Sequence, residues 1–155
     1  MVQNGKSIFT VVDFRQLNKW IQRFKNFLNP VHEILASVRL CKWLSVIDLP
    51  IAYYTLHVSK QSRLLFRTNT IFGVYEALVL PMGVAPSSDI FQRKIVHLLS
   101  DVPPPPKVYI DDLLAAAKHI FAEHLAWLGL IFQKLAESGL QVNIVKFFLC
   151  QDINY

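Results

Sequence analysis

The sequence predicts an α+β fold, with helices packed on one face of an antiparallel sheet. Three observations predict it. Short apolar runs of strand length, such as Trp43 to Leu49 and Val108 to Leu114, are bounded by turn residues. Other runs carry apolar residues at helical spacing, as do Leu125, Leu128, Phe132 and Leu135. Their order along the chain is β-α-β, strand pair, α, β-hairpin, α, β, with no internal repeat. At 155 residues, one domain is expected, able to bury roughly two-thirds of its unfolded surface.

Taken in order, Asn4-Gly5 is a type I′ hairpin signal, and the residues from Ser7 to Phe14 read as a strand. Its partner, Met1 to Gln3, is short, so the sequence is expected to begin inside a hairpin. Trp20 to Asn29 interleaves Arg23 and Lys25 with Trp20, Phe24 and Phe27, a mixture that suits phosphates and stacked bases or an anchored surface loop. Asn29-Pro30 opens a short helix whose apolar face is Ile34, Leu35 and Val38. Trp43 to Leu49 is a buried strand ending in Asp48, and Pro50 blocks further pairing. Thr55-Leu56-His57-Val58 alternates like another strand. Arg63 to Thr68 and Phe72 to Leu80 predict a strand pair joined through Asn69-Thr70-Ile71.

Ser87-Ser88-Asp89 caps a helix through about Leu99, with Phe91, Ile95 and Leu98 as its stripe. Pro103 to Pro106 is a rigid spacer. Asp111-Asp112 is expected at a two-residue hairpin tip, and Gly139 closes the following helix. Val142 to Leu149 is read as a last strand.

Hydrophobic residues make up 53% and charged residues 17% of the chain, which excludes disorder and predicts a large core or an apolar face meant for a partner. No run reaches the roughly 18 apolar residues of a spanning helix. No signal peptide precedes the first strand, so an intracellular protein away from membranes is expected. Cys41 and Cys150 lack metal or redox spacing and are expected to be reduced structural thiols. The net charge of +5 fits a nucleic-acid partner and many ordinary proteins alike. His124 reads as a helix-face histidine, and Trp127 as core.

Acids wedged between apolar strands need a cation, a donor network or a raised pKa. Asp111 and Asp112 alone also fit a solvated turn or a helix cap. Asp48, however, closes a second apolar strand, and neighbouring strands of one sheet would bring their ends together. Side chains alternate along a strand, so Asp48 and Asp111 are expected to be the principal metal ligands and Asp112 a peripheral participant. Two oxygen-ligated magnesium ions would suit such a site.

At these residues the sequence resembles the reverse-transcriptase domain of gypsy-type LTR retrotransposons, over nearly its whole length. Asp13-Phe14-Arg15-Gln16-Leu17-Asn18-Lys19 resembles the fingers motif. Ser45-Val46-Ile47-Asp48-Leu49 with Ala52-Tyr53-Tyr54 is similar to polymerase motif A, and Leu80-Pro81-Met82-Gly83-Val84 with Asp89-Ile90-Phe91-Gln92 to motif B. Tyr109-Ile110-Asp111-Asp112 is similar to motif C. Glu123-His124-Leu125 and Gly139-Leu140-Gln141-Val142-Asn143 with Lys146 follow as in the region through motif D.

The resemblance implies an RNA-directed DNA polymerase that transfers nucleotides from dNTP to a primer on an RNA or DNA template, using two magnesium ions with manganese as a substitute. It implies a polymerase palm-like sheet over residues 45–58 and 87–155, and a partial fingers segment over 1–44 and roughly 59–86. Asp48, Asp111 and Asp112 would be the catalytic, metal-binding carboxylates. Arg15 would contact the triphosphate, Tyr53 would exclude a ribose 2′-hydroxyl, and Gly83 would let backbone approach the nucleotide. Lys146 would lie near the leaving pyrophosphate, with Tyr109 and Gln92 at the primer and template.

Thumb, connection and RNase H regions of the polyprotein would lie outside these residues, so little autonomous activity is expected. Several positions depart from the family pattern. Pro50 follows Asp48 closely, Ala85-Pro86-Ser87-Ser88 alters motif B, and Leu65 and Ala77 replace residues of other types. The lysine expected on the first fingers strand is missing, with Lys6 the nearest substitute. These departures would fit a catalytically inactive retroelement remnant that folds and binds nucleic acid or a partner. An RNA-binding sheet of the RRM type fits less well, because no RNP-like strand is present.

Overall fold

Trp43–Asp48 (β3) alternates strictly between two environments, and the rest of the molecule is arranged around that alternation. Ser45 and Ile47 are fully buried, while Val46 and Asp48 lie on the opposite face. The computed structural model describes residues 2–3, 6–7, 12–22, 31–49, 52–118, 120–143, 146 and 148–152. Earlier in the chain, Val2–Gln3 (β1) pairs with Lys6–Ser7 (β2), followed by Arg15–Asn18 (α1) and Val31–Val38 (α2). After β3 come a 3-10 turn at Ala52–Thr55, Lys60–Arg63 (α3), a second 3-10 turn at Leu64–Phe66, and the hairpin Arg67–Thr70 (β4) and Gly73–Glu76 (β5). Ser87–Leu98 (α4), Lys107–Tyr109 (β6), Asp112–Ala117 (β7), Phe121–Glu137 (α5) and Phe148–Asp152 (β8) complete the order.

The main sheet runs β6-β7-β3-β8 with every neighbouring pair antiparallel. Leu113 and Ala115 of β7 are fully buried beside Ile47, and α4 and α5 cover that face with Phe91, Ile95, Leu128, Ile131 and Leu135. The fold is therefore α+β with helices on one side, as the sequence predicts. A second cluster, Phe14, Val58, Phe66, Leu80 and Val84, packs under the segment between β3 and α4. Tyr53 and Leu56 touch both clusters.

Several local expectations are corrected. Thr55 to Val58 is not a strand: Ala52–Thr55 coils into a 3-10 turn, and only His57 makes an isolated bridge, to Val79. Coiling lets Tyr53 and Leu56 serve two cores, which an extended chain would not. Arg63 to Phe66 is helical because Ser59 caps α3, its Oγ accepting from the Ser62 N–H at 3.3 Å. The strand pair accordingly starts at Arg67 and turns through Ile71-Phe72. Ser87 lies inside α4 instead of capping it, its hydroxyl donating to the Pro81 carbonyl at 2.9 Å. The expected strand from Ser7 does not reach residues 12–14, which are not in a strand. The Asn4-Gly5 turn, the basic aromatic segment at Arg23, Lys25 and Phe27, the Asn29-Pro30 cap and Pro50 lie outside the described residues.

His124 of α5 is fully buried against the sheet, its Nε2 2.8 Å from the Ser45 hydroxyl. The same hydroxyl accepts the Cys150 N–H at 3.0 Å, where β8 bulges opposite Ser45 and Cys150 takes φ of +53°. Burial pushes the His124 imidazole below its ordinary pKa. The unfolded chain then binds a proton that the folded one refuses, so stability present above about pH 6.5 is lost as pH falls toward the folded value. We expect urea midpoints of the chain to drop between pH 7.5 and pH 5 with a slope from this site of at most about 1.4 kcal/mol per pH unit. A His124→Gln variant should show a flatter profile.

Candidate active site

Antiparallel register places Tyr109 of β6 opposite Asp112 of β7, and Asp112 opposite Asp48 of β3. Directly opposed residues share a face, so these three side chains form a row across three strands on the side away from the helices. Carboxylates facing each other across a ladder repel. Burial first, then the charges of Asp111 and Asp48, push the Asp112 carboxyl above its ordinary range, and the Lys146 ammonium opposes the shift.

The hairpin turn falls at Ile110-Asp111, one residue earlier than the sequence suggests. Asp111 therefore occupies the turn, and Asp112 is the ladder residue facing Asp48. Asp112, expected from strand alternation to be peripheral, is by register the direct neighbour of Asp48. Asp111 is tied to the end of β3 as well, its carbonyl accepting the Leu49 N–H at 3.0 Å.

Asp48 is held from the other side. Asn143 donates its Nδ2 to Asp48 Oδ2 at 3.0 Å and its backbone N–H to the Asp48 carbonyl at 3.0 Å. Lys146 Nζ lies 3.6 Å from the same Oδ2. Lys146, which the resemblance puts near a leaving pyrophosphate, thus stands beside Asp48.

Among the described residues, no three histidine, cysteine, aspartate or glutamate side chains form a ready-made metal cage. Magnesium does not require one, since it is commonly held by one or two carboxylates with water and substrate phosphates completing its octahedron. The direct opposition of Asp112 and Asp48 across the ladder, with Asp111 at the adjoining turn, is the observation that fits such an ion, because a divalent cation would relieve the repulsion between facing carboxylates.

Tyr53 reaches the site from the 3-10 turn after β3. Its ring stacks at a tilt on Phe91, centroids 5.5 Å apart, and burial with the Asp111 charge raises its phenol pKa. Gly83 adopts φ of +86°, a conformation side chains resist. Its loop is fastened by Asn18, whose Nδ2 donates to the Gly83 carbonyl and whose Oδ1 accepts the Ala85 N–H, both at 2.8 Å.

Arg15 is not drawn to the acids. Its guanidinium forks onto Asp13 at 2.7–3.0 Å, which lowers the Asp13 pKa to about 2, and among the described residues no other carboxylate acts on it. Gln92, expected at the primer and template, is 1% exposed. Its Oε1 accepts the Ile110 N–H at 3.1 Å and its Nε2 donates to the Val108 carbonyl at 3.3 Å. It braces the hairpin from below and offers almost no surface to a nucleic acid.

The carboxamides Asn18 and Asn143 lie within recognisable motifs, but sequence reasoning assigned neither a role. Asn18 acts on the Gly83 loop and Asn143 on the end of β3, each far away in the chain, and no local spacing announces such a contact. The polar type at otherwise apolar element ends was the available signal.

The sequence profile of the family described as reverse transcriptase (RNA-dependent DNA polymerase) matches residues 4–155. The Pol polyprotein of the Drosophila melanogaster transposon opus is 30% identical over 92% of the chain, and that of transposon 297 is 28% identical over 94%. The Tf2-3 polyprotein of Schizosaccharomyces pombe is 31% identical over 88%. The chain spans 14% of the length of either Drosophila polyprotein and 10% of the yeast one. Among solved structures, a foamy viral protease-reverse transcriptase with double-stranded DNA superposes with a TM-score of 0.82 at 27% identity, over 92% of this chain and 25% of that one. The same viral protein with an RNA/DNA hybrid superposes at 0.80 and 27% identity, over 90% of this chain and 19% of that one. The match of nearly the whole chain to one family's profile, together with relatives of 30% identity or more, settles its membership: the chain belongs to the reverse transcriptase (RNA-dependent DNA polymerase) family.

Proposed function

We propose that the chain forms the palm and part of the fingers of an RNA-directed DNA polymerase within a longer retroelement polyprotein. Its partners are a primed RNA or DNA template and dNTP. One observation carries the reading: Tyr109, Asp112 and Asp48 stand in a single row on the open face of the sheet, with Asp111 at the adjoining turn. Residues 45–58 and 87–155, which carry most of the main sheet with α4 and α5, are the palm. Residues 1–44 and roughly 59–86, which give Phe14, Phe66, Leu80 and Val84 to the second core cluster, are the fingers portion, and Val58 joins that cluster from the palm segment.

Asp48, Asp111 and Asp112 would hold two magnesium ions, with manganese as a substitute. Bound there, the metal would supply activation of the primer hydroxyl and neutralisation of charge on the leaving pyrophosphate. The protein's own groups do the positioning. Tyr109 supports the primer end from the row it shares with the acids. Tyr53, rigid against Phe91, excludes a 2′-hydroxyl by its bulk. Gly83 leaves backbone room for the nucleotide, and Asn18 keeps that loop in place. Arg15 exchanges Asp13 for the triphosphate, a substitution its planar fork allows. Lys146 stands beside Asp48, able to give a proton to the pyrophosphate. Gln92 acts on primer and template only through the hairpin it braces.

The second reading is a folded remnant without catalysis, favoured by Pro50 falling two residues after Asp48 in the sequence. Primer extension on an RNA template with magnesium separates the two. We expect the chain to add the first nucleotides weakly, and Asp111→Asn to lower that addition by at least about a hundredfold, as loss of a principal charge-stabilising group does. Equal, background-level signal from both proteins favours the remnant.

A further inference from the structure

β8 ends, toward the acids, at Phe148, which pairs with Val46 of β3. Among the described residues that pairing stops short of Asp48, and it is Asn143 that meets the Asp48 carbonyl on that side. Asn143 fills the position twice over. Its backbone N–H continues the ladder onto the Asp48 carbonyl at 3.0 Å, and its Nδ2 donates to Oδ2 of the same residue at 3.0 Å. We propose that Asn143 is a positioning residue for the metal site: it fixes the rotamer of Asp48 and divides that carboxylate into an oxygen held by the protein and an oxygen left for the cation.

The chemistry of the group supports this. Both contacts made by described residues to the carboxylate, from Asn143 and Lys146, fall on Oδ2. Asp48 is 15% exposed as a side chain, enough for one oxygen to meet a ligand. A carboxamide N–H is a neutral donor. It orients a carboxylate without the positive charge that would compete with a divalent ion, and without the negative charge that a further acid would add to the three already present. Lys146, by contrast, is 68% exposed and 3.6 Å away, an arrangement too loose to set a rotamer. Partners that orient metal ligands in this way characteristically change metal affinity by about ten- to a hundredfold when removed.

The inference rests on the reading of Asp48 as a metal ligand, and the test separates the two. Manganese binding to the full chain is read by electron paramagnetic resonance for the wild type, Asp48→Asn, Asn143→Ala and Asn143→Leu, with thermal melts of each. Both Asn143 variants keep the backbone bond and lose the side-chain donor, while leucine keeps the volume. We expect both to bind manganese about ten- to a hundredfold more weakly and to melt as the wild type does. If Asp48→Asn weakens binding and the Asn143 variants do not, the role of Asn143 is overturned and the metal site stands. If only the alanine variant binds weakly, the loss is one of packing and the role is overturned. If both variants lose the fold, the contact is structural and the role is overturned as well. If the wild type binds no manganese, or Asp48→Asn binds as the wild type does, the metal reading itself fails and takes the inference with it.

Discussion

Phe91→Ala is expected to destabilise the chain by about 3–5 kcal/mol, the range for deleting a buried aromatic ring. Phe91 is 1% exposed, sits mid-way in the buried stripe of α4, and belongs to the cluster with Ile47, Leu113 and Ile131. It also supports Tyr53, the residue that touches both core clusters. Its removal therefore leaves a void under the sheet and loosens the link to the second cluster at once. A domain of this size has about 5–15 kcal/mol in total, so the variant approaches the threshold of folding. Urea unfolding followed by circular dichroism measures it, and Phe91→Leu, which keeps most of the volume, should cost distinctly less. A loss under about 1 kcal/mol would show that the neighbours collapse into the space. If Tyr53 gates the nucleotide, the leucine variant should also discriminate less well against ribonucleotides, since the gate has lost its flat support.

The long periodic elements were legible in the sequence because burial dictated them. Trp43 to Leu49 alternates over a full strand, and α5 repeats apolar residues at helical spacing with Gly139 at its end, where φ is +72°, although its buried face runs through His124, Trp127, Leu128, Ile131 and Leu135 and leaves Leu125 47% exposed. The acids were legible for a different reason: a charge closing an apolar strand conflicts with its surroundings and invites a functional explanation. Less legible were the segments whose conformation answers to two demands. Leu64-Leu65-Phe66 reads as a strand on hydrophobicity, yet only Phe66 is buried and the other two are more than half exposed. Ser59 had already started a helical turn there, and local capping outweighed pattern.

Long-range polar contacts left only a polar residue type in the sequence, without its partner. The hairpin turn shifted by one residue because Gln92, on a helix well upstream, holds the Ile110 N–H. Asn18 holds the Gly83 loop and Asn143 the end of β3 in the same manner. Gln92 and Asn18 place their carboxamides against main-chain groups, which every residue carries, and Asn143 reaches the Asp48 carboxylate from far along the chain, so the partner cannot be read from local residue types.

Gln92→Leu is expected to destabilise the chain by about 2–4 kcal/mol, and to do so at the hairpin that carries Asp111 and Asp112. β6 is an edge strand of the main sheet, with one side left without a strand partner among the described residues. The Gln92 carboxamide stands there as a single peptide group, accepting the Ile110 N–H and donating to the Val108 carbonyl. Leucine has nearly the same volume and leaves both main-chain groups without that partner, at about 1–3 kcal/mol for each one that stays buried. The brace also opposes strain. Ile110 has φ of +57°, a conformation that costs an L-residue about 1–2 kcal/mol and suits a β-branched side chain least. Without Gln92 the turn is free to relax toward negative φ, which would rotate the Asp111 peptide away from the Leu49 N–H it now accepts. Amide exchange at Ile110 and Leu49 should accelerate together, ahead of exchange in β3. Ile110→Gly placed on the Gln92→Leu background should restore about 1 kcal/mol, because glycine accepts the positive φ without a brace. The same glycine in the wild-type chain should gain less, since Gln92 already holds the turn. Unchanged exchange at Ile110 in the leucine variant would mean that the turn is set by its own residues and that the carboxamide only fills space.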